Sequence, residues 1–322
     1  MNQPLVTVIC LCYNHEAYVR EAVESVLTQS YPSIEIIVVD DASEDGSVAT
    51  IQNLVEQHPE ITFLALPKNL GNCAAFNRGL ALAHGLYIAD LAADDQFMPD
   101  RIEKQVALFQ TLPNDYGIVF TDALITDEKG VKLWGHEEYL LRHNIMKSIP
   151  QGDIFSEVIQ HYFISSPTLL MKKALLDQLG GYDESLTYED FDIIVRFARH
   201  WKFARIAEQL TKVRKLSTGM SAVMHGPGDP KVLSTFLICK KIDNMIKAPS
   251  EQLALINRLK YEWRQSIMHD NKEMGIRWTS FLREKKAFTW LYSLIWSLYT
   301  LGFPISKSAK ILNSLSGVRN LF

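Results

Sequence analysis

Two Asp-Asp pairs stand out in this sequence, Asp40-Asp41 and Asp94-Asp95, each following a short apolar run and lying 54 residues apart. Adjacent carboxylates repel one another, and a hard divalent cation on oxygen ligands relieves that repulsion. The plainer account of such a pair is a solvated turn with a helix cap, where Asp is common. Independent acids at neighbouring strand ends favour the first account, because open α/β sheets bind ligands in the crevice beyond those ends. A third acidic pair, Glu189-Asp190, precedes Ile193, Ile194, Phe197 and Ala198 at helical spacing. A carboxylate there caps a helix start and offsets its dipole.

The elements that must hold these acids follow from periodicity. Residues 5–11 and 34–39 are nearly continuous apolar, β-branched runs, as expected of strands buried on both faces. Val19, Ala22, Val23 and Val26 recur at helical spacing between them, and Tyr31-Pro32 stops that helix. Residues 43–47 are turn and cap chemistry opening a second helix, with Ile51, Leu54 and Val55 facing inward. A strand over 61–66, a turn at 69–72, a small-residue helix over 74–83 and the strand ending at Asp94-Asp95 come next. Strand and helix alternating at such short intervals predict βαβ units in a mostly parallel sheet, an α/β fold. A helix is expected over 100–112, a strand over 117–121 ending at Asp122, and a hairpin turn at Asp127-Glu128-Lys129-Gly130. Residues 134–165 read as irregular, with His136, His143 and His161 scattered through them, and suit acceptor binding. A strand over 168–171, a helix from Tyr188-Glu189-Asp190, and two strand-like stretches, 203–207 and 210–216, complete the pattern.

Composition narrows the class. The chain is 322 residues, 47% hydrophobic and 22% charged, enough for a large α/β domain with an appendage. Its net charge of −4 is uneven, −11 over residues 1–256 and +7 over 257–322. The basic tail points to something anionic such as a membrane surface, and the lack of a dense Lys/Arg block disfavours nucleic acid. Cys10, Cys12, Cys73 and Cys239 have neither zinc nor disulfide-framework spacing, and no basic n-region precedes the first apolar run. A cytoplasmic protein is the expectation.

A string of motifs in order resembles the family 2 glycosyltransferases. It comprises Val6-Thr7-Val8-Ile9 with Tyr13-Asn14, residues 25–32 with Gln29, and Ile37-Val38-Val39-Asp40-Asp41-Ala42-Ser43 with Asp45-Gly46-Ser47. It continues through Asn69-Leu70-Gly71, Asn77 with Gly79, Ala93-Asp94-Asp95 with Met98-Pro99-Asp100-Arg101, and Glu189-Asp190 upstream of Arg196. The resemblance covers about residues 4–220. It implies the Rossmann-like glycosyltransferase A fold and an inverting transfer of a sugar from a nucleotide sugar to an acceptor hydroxyl. By the same resemblance Tyr13, Asp40, Asp41, Asn72 and Asp94 would hold the nucleotide. Tyr13 would stack on the base, Asp41 would bond it, and Asp94 would face the ribose. Asp95 would hold Mg²⁺ or Mn²⁺ against the diphosphate, and Asp190 would be the general base. Asp192, two residues deeper into the helix, points elsewhere. Two departures are plain: Phe76 stands where an Arg often precedes the Asn, and Arg214-Lys215-Leu216 has Leu where a His is common. His225 is the substitute ligand the sequence offers.

Residues 226–230, Gly-Pro-Gly-Asp-Pro, mark a boundary between a catalytic domain over 1–225 and a helical region over 226–322. Twenty positions from Ala287 to Ser306 carry no charge, but Thr289, Ser293, Ser297 and Thr300 form a polar stripe. With basic flanks at Arg283, Lys285, Lys286, Lys307, Lys310 and Arg319, that suits a helix lying in an anionic interface, peripheral to the inner face of the plasma membrane. A helix packed on the catalytic domain or on a second subunit of a homo-oligomer is the alternative. The leading function is a bacterial cell-surface glycosyltransferase acting on a glycan or lipid-linked glycan acceptor. The alternatives are a transferase using a lipid-linked phosphate acceptor and a non-catalytic sugar-nucleotide-binding protein.

Overall fold

The computed structural model describes residues 3–217 and 225–303. The first elements are β1 (Val6–Cys12), α1 (Val19–Leu27), β2 (Ile34–Asp40), α2 (Ser47–Gln57), β3 (Thr62–Ala65), α3 (Asn72–Leu80) and β4 (Tyr87–Ala92). They are followed by β5 (Gln96–Phe97), α4 (Arg101–Thr111), β6 (Tyr116–Thr126), β7 (Lys132–Gly135), α5 (His136–Arg142) and α6 (Phe155–Gln160). Then come β8 (Leu170–Lys172), α7 (Lys173–Gln178), α8 (Asp190–Ala198), β9 (Lys202–Arg214), α9 (Pro230–Met245), α10 (Pro249–Met268), α11 (Lys272–Glu284) and α12 (Trp290–Thr300).

The strands form one sheet in the order β3-β2-β1-β4-β8-β6-β9-β5, with β7 on β6. β3, β2, β1 and β4 run parallel, β8 is antiparallel to β4 and β6, and β9 returns parallel to β6. The apolar runs become the central strands as expected, with Val8, Ile9, Val38 and Val39 wholly buried. Each such side chain contributes ~1.5–3 kcal/mol of burial. α3 lies close on β1 and β2 because Gly79 has no Cβ, which would sit 2.8 Å from Ile9 Cγ2.

Three stretches differ from the sequence reading. The strand expected to stop at Asp122 runs on to Thr126, with its register slipping at Asp122. The Asp122 carboxylate accepts from the amides of Ala123 and Glu137 there, so a side chain replaces the ladder partner. The two stretches expected over 203–216 are the single strand β9. Residues 134–165 carry the short helices α5 and α6 rather than continuous loop.

The chain divides into two compact units. Among the described residues, the first takes those up to Tyr139, with Ile149–Ile154 and Phe163–Ser217; the second takes Leu140–Ser148, Phe155–Tyr162 and those from His225 on. Within the second, Trp263 is buried in α10, donates to Thr279 Oγ1 at 2.9 Å, and meets the rings of Phe288, Tyr292 and Trp296. α12 packs Ile295 and Tyr299 inward, and Tyr299 donates to Asp270 Oδ1 at 2.7 Å. That face thus packs against α10 and α11 of its own unit, a partner the sequence reading does not name. The part of the uncharged stretch beyond Phe303, with Lys307, Lys310 and Arg319, lies outside the described residues. No helix among the described residues is long and apolar enough to cross a membrane. Cys10, Cys12, Cys73 and Cys239 are buried free thiols.

Candidate active site

The loops after β1 and β2 are laced together beyond the sheet. Asn14 N–H donates to Ser43 Oγ at 2.9 Å, Glu44 N–H to Asn14 Oδ1 at 2.8 Å, and Glu16 N–H to Asp45 Oδ2 at 3.0 Å. Asp40, wholly buried at the end of β2, accepts from both the amide and the hydroxyl of Ser43. Ala42 takes φ +61° so that the chain turns between them, a conformation that costs a non-glycine residue energy and recurs at functional sites. Tyr13, at the rim, is 43% exposed, an open aromatic face beside the buried acids.

Asp41 spends both carboxylate oxygens on the next loop: Leu70 N–H donates at 2.7 Å and Gly71 N–H at 2.9 Å. Gly71 holds φ +86° and ψ 157°, a region essentially restricted to glycine. It leads straight into α3, whose first residue, Asn72, donates its side-chain amide to Glu189 Oε2. Asn72 therefore joins the loop held by Asp41 to the residue beside Asp190.

Asp190 opens α8, where its charge complements the helix dipole. Burial, and then the Asp190 charge, push the Glu189 carboxyl well above its ordinary range. Asp192 is buried and paired with Arg196 at 2.7 Å, a structural ion pair. Sequence reasoning passed over Asp90, in the middle of β4, which accepts from the Tyr182 hydroxyl at 3.0 Å. Tyr182 is fixed by Asn77, which bonds both its N–H and its C=O, and by Phe76, stacked at 3.9 Å. The aromatic that replaces the family's Arg thus packs the tyrosine that holds Asp90.

Burial pushes Asp90 up to about 7. Below about pH 4 the carboxyl is protonated whether the chain is folded or not. Between about pH 4 and 7 the folded chain keeps a proton that the unfolded chain releases, so its stability falls as pH rises through that window. Asp90→Asn removes this loss. The variant's melting temperature relative to the parent should rise from pH 4 to 7 and then level off; a constant difference would rule the linkage out.

Asp94 and Asp95 follow β4 by a turn in which Asp95 N–H donates to Ala92 O at 2.9 Å. Asp95 is 3% exposed and accepts from the amide of Arg214, on β9, at 2.9 Å. Burial, then the Asp94 charge, push the Asp95 carboxyl well up, opposed by Arg214 and by Arg101. Arg101 is wholly buried, lies 3.6 Å over the Phe97 ring, and is itself pushed down by burial to about 9. Arg214 donates to Glu21 at 2.9 Å and lies 4.4 Å over the Tyr18 ring, with Nε and Nη1 buried and without a partner among the described residues. Tyr18, Glu21, Asp94, Gln96, Lys212 and Arg214 line a cavity of about 340 Å³.

The acid pair fits Mg²⁺ or Mn²⁺. Asp94 and Asp95 are hard carboxylates, and Asp95 is pushed up by burial and then by the Asp94 charge, which a cation would offset. No three His, Cys, Asp or Glu side chains among the described residues could hold a metal by themselves. Such a cation would share its coordination with phosphate oxygens, as Mg²⁺ commonly does. His225 lies in the second unit, where its ring meets Tyr261 and His269 and its Nδ1 is 4.0 Å from Glu262. Leu216, in the place of the family's His, is buried.

The sheet carries buried acids at the carboxyl ends of β2 and β4, where open α/β sheets bind their ligands. The family model for glycosyl transferase family 2 matches residues 7–180, more than half of the chain, and the chain belongs to that family. An uncharacterised glycosyltransferase of Rickettsia prowazekii is 35% identical over 198 residues, 61% of this chain and 59% of that protein. The chain thus spans well under two thirds of that relative. TuaG of Bacillus subtilis, named for teichuronic acid biosynthesis, is 40% identical over 104 residues, 32% of this chain and 41% of that protein. Among solved structures, Staphylococcus aureus TarS 1–349 with UDP-GlcNAc superposes with a TM-score of 0.66 at 18% identity, covering 96% of this chain and 88% of that one. The Pyrobaculum calidifontis mannosyltransferase PcManGT, in complex with GDP-Man and Mn²⁺, gives 0.60 at 17%, covering 98% and 89%. These likenesses establish the glycosyltransferase A fold.

Proposed function

We propose that the protein is an inverting glycosyltransferase that moves a sugar from a nucleotide-diphosphate sugar to an acceptor hydroxyl in cell-surface polysaccharide synthesis. The observation that carries this reading is the span from Asp41 through Gly71 and Asn72 to Glu189 and Asp190. Its hydrogen bonds tie the acid read as recognising the base to the acid read as accepting the proton, across three separate segments of chain. Tyr13 stacks on the base, Asp40 and Asp41 order its pocket, Asn72 braces the pocket's edge, and Asp94 takes the ribose side. Asp190 accepts the acceptor hydroxyl's proton as that oxygen attacks the anomeric carbon on the face opposite the leaving diphosphate. Asp95, with Asp94 beside it, would hold Mg²⁺ or Mn²⁺, which when bound offsets the negative charge developing on the diphosphate. Arg214, with buried nitrogens beside the acid pair that have no partner among the described residues, adds positive charge on the same side. The acceptor is a glycan or lipid-linked glycan, a reading supported by TuaG's association with teichuronic acid, and residues 134–165 are its binding segment. The first compact unit, within the 1–225 span read from the sequence, is the catalytic domain, the second is an appended helical region, and the enzyme works peripherally at the inner face of the plasma membrane.

A screen of UDP, GDP and dTDP by thermal shift, with and without Mn²⁺, tests the reading. A ligand bound only by the folded chain raises the melting temperature, by ~2.7 kcal/mol of added stability at a hundred times its Kd. One of the three is expected to stabilise the chain, and EDTA to remove most of the shift. No shift with any of them would overturn the donor assignment.

A further inference from the structure

α12 is apolar on two opposite sides. One side packs Ile295 and Tyr299 into the second unit. The other carries Trp290 at 77% exposure, Leu294 at 49% and Leu301 at 74%, which a helical period of 3.6 puts on one stripe, with Phe303 at 56% just beyond. Exposed Ser297 falls at the edge of that stripe and Ser293 and Thr300 lie along its flank, so the polar stripe read from the sequence borders the apolar face.

Four cations without carboxylate partners among the described residues lie against the packed side of this helix and at the turn before it. Lys260 Nζ lies 5.9 Å from the Tyr292 ring, Lys272 Nζ 5.8 Å from Tyr299, and Arg283 Cζ 5.1 Å from Phe288, while Lys286 is exposed at the turn before α12. None of the four has a carboxylate partner among the described residues, whereas Lys240, Arg277 and Lys285 nearby are all paired. An apolar stripe bearing an exposed Trp, on a helix whose packed side and N-terminal approach carry unpaired cations, matches the chemistry of an anionic lipid surface. Acyl chains take the stripe, headgroup phosphates take the cations, and the indole sits between them.

We propose that the Trp290-Leu294-Leu301 face of α12, with Lys260, Lys272, Arg283 and Lys286, docks the protein on anionic lipid. This deepens the peripheral placement proposed above by naming its surface, and it does not depend on the transfer chemistry. The test is sedimentation of the full chain with vesicles of equal parts phosphatidylcholine and phosphatidylglycerol, against phosphatidylcholine alone. Binding is expected to the anionic vesicles only and to weaken in high salt, which shortens the Debye length from its physiological ~8 Å. Replacing the four cations by Gln together should cut the partition on the order of a hundredfold or more. Trp290→Ser with Leu294→Ser should weaken it independently, and Asp190→Asn should leave it unchanged.

If the wild type bound anionic vesicles but both surface variants bound equally well, the named surface would be wrong while the peripheral placement stood. No binding by the wild type, or equal binding to neutral vesicles, overturns both. A dimer in the ultracentrifuge that dissociates on Trp290→Ser, without vesicle binding, would assign the face to a second copy of the chain.

Discussion

Replacing Asp190 by Asn is expected to lower turnover by roughly 10²–10⁴-fold with donor and acceptor saturating, while donor affinity stays close to the parent's. The amide keeps the carboxylate's bulk but does not take a proton from the acceptor hydroxyl. Asp190 stands in the first turn of α8, so its other conceivable duty is to complement the helix dipole. That duty is worth about 0.3–1 kcal/mol at a partly exposed helix start, and losing it moves a melting temperature rather than a rate. The two duties therefore separate in one variant measured twice. Lost turnover with an unshifted melt fits the base; near-parental turnover would sink it.

The second large effect concerns Asp95. Asp95→Asn should abolish transfer and remove the divalent-cation dependence of nucleotide diphosphate binding, without unfolding the chain. The retained Oδ1 still accepts from the Arg214 amide, which bonds the carboxylate at 2.9 Å. Replacing a buried carboxyl strained by Asp94 also removes a charge the cation-free fold tolerates poorly. In EDTA the variant should accordingly melt no lower than the parent. Calorimetry of the parent with each diphosphate decides the matter: EDTA-insensitive binding would defeat the metal assignment, as would transfer retained by the variant.

Much of the catalytic unit was legible because its information is local. The runs around Val8 and Val38 spell buried strands in their own composition, and acids at the ends of two such runs announce a crevice. What escaped was long-range. Arg214 reaches Asp95 across 119 positions, and Asn72 meets Glu189 across 117, so no window of sequence holds either pair. Asp90 hid inside a strand, where an acid reads as an interruption until Tyr182 is seen above it. β6 continues past Asp122 only because that side chain caps the slipped ladder. α5 and α6, of seven and six residues, are too short to declare themselves, since helices of that length take their stability from packing.

The four buried thiols give the molecule internal reporters of its own opening. Cys10, Cys12 and Cys73 belong to the first compact unit and Cys239 to the second. Burial pushes every one of them up, Cys12 to about 11 and Cys239 to about 12. At neutral pH the folded chain thus presents almost no thiolate to an alkylating reagent, and labelling waits on local unfolding. Mass-resolved alkylation in mild denaturant would therefore time the two units separately, one from its three β1 and α3 thiols and the other from the lone thiol of α9. The same chain with a nucleotide diphosphate added would reveal which unit's opening the ligand slows.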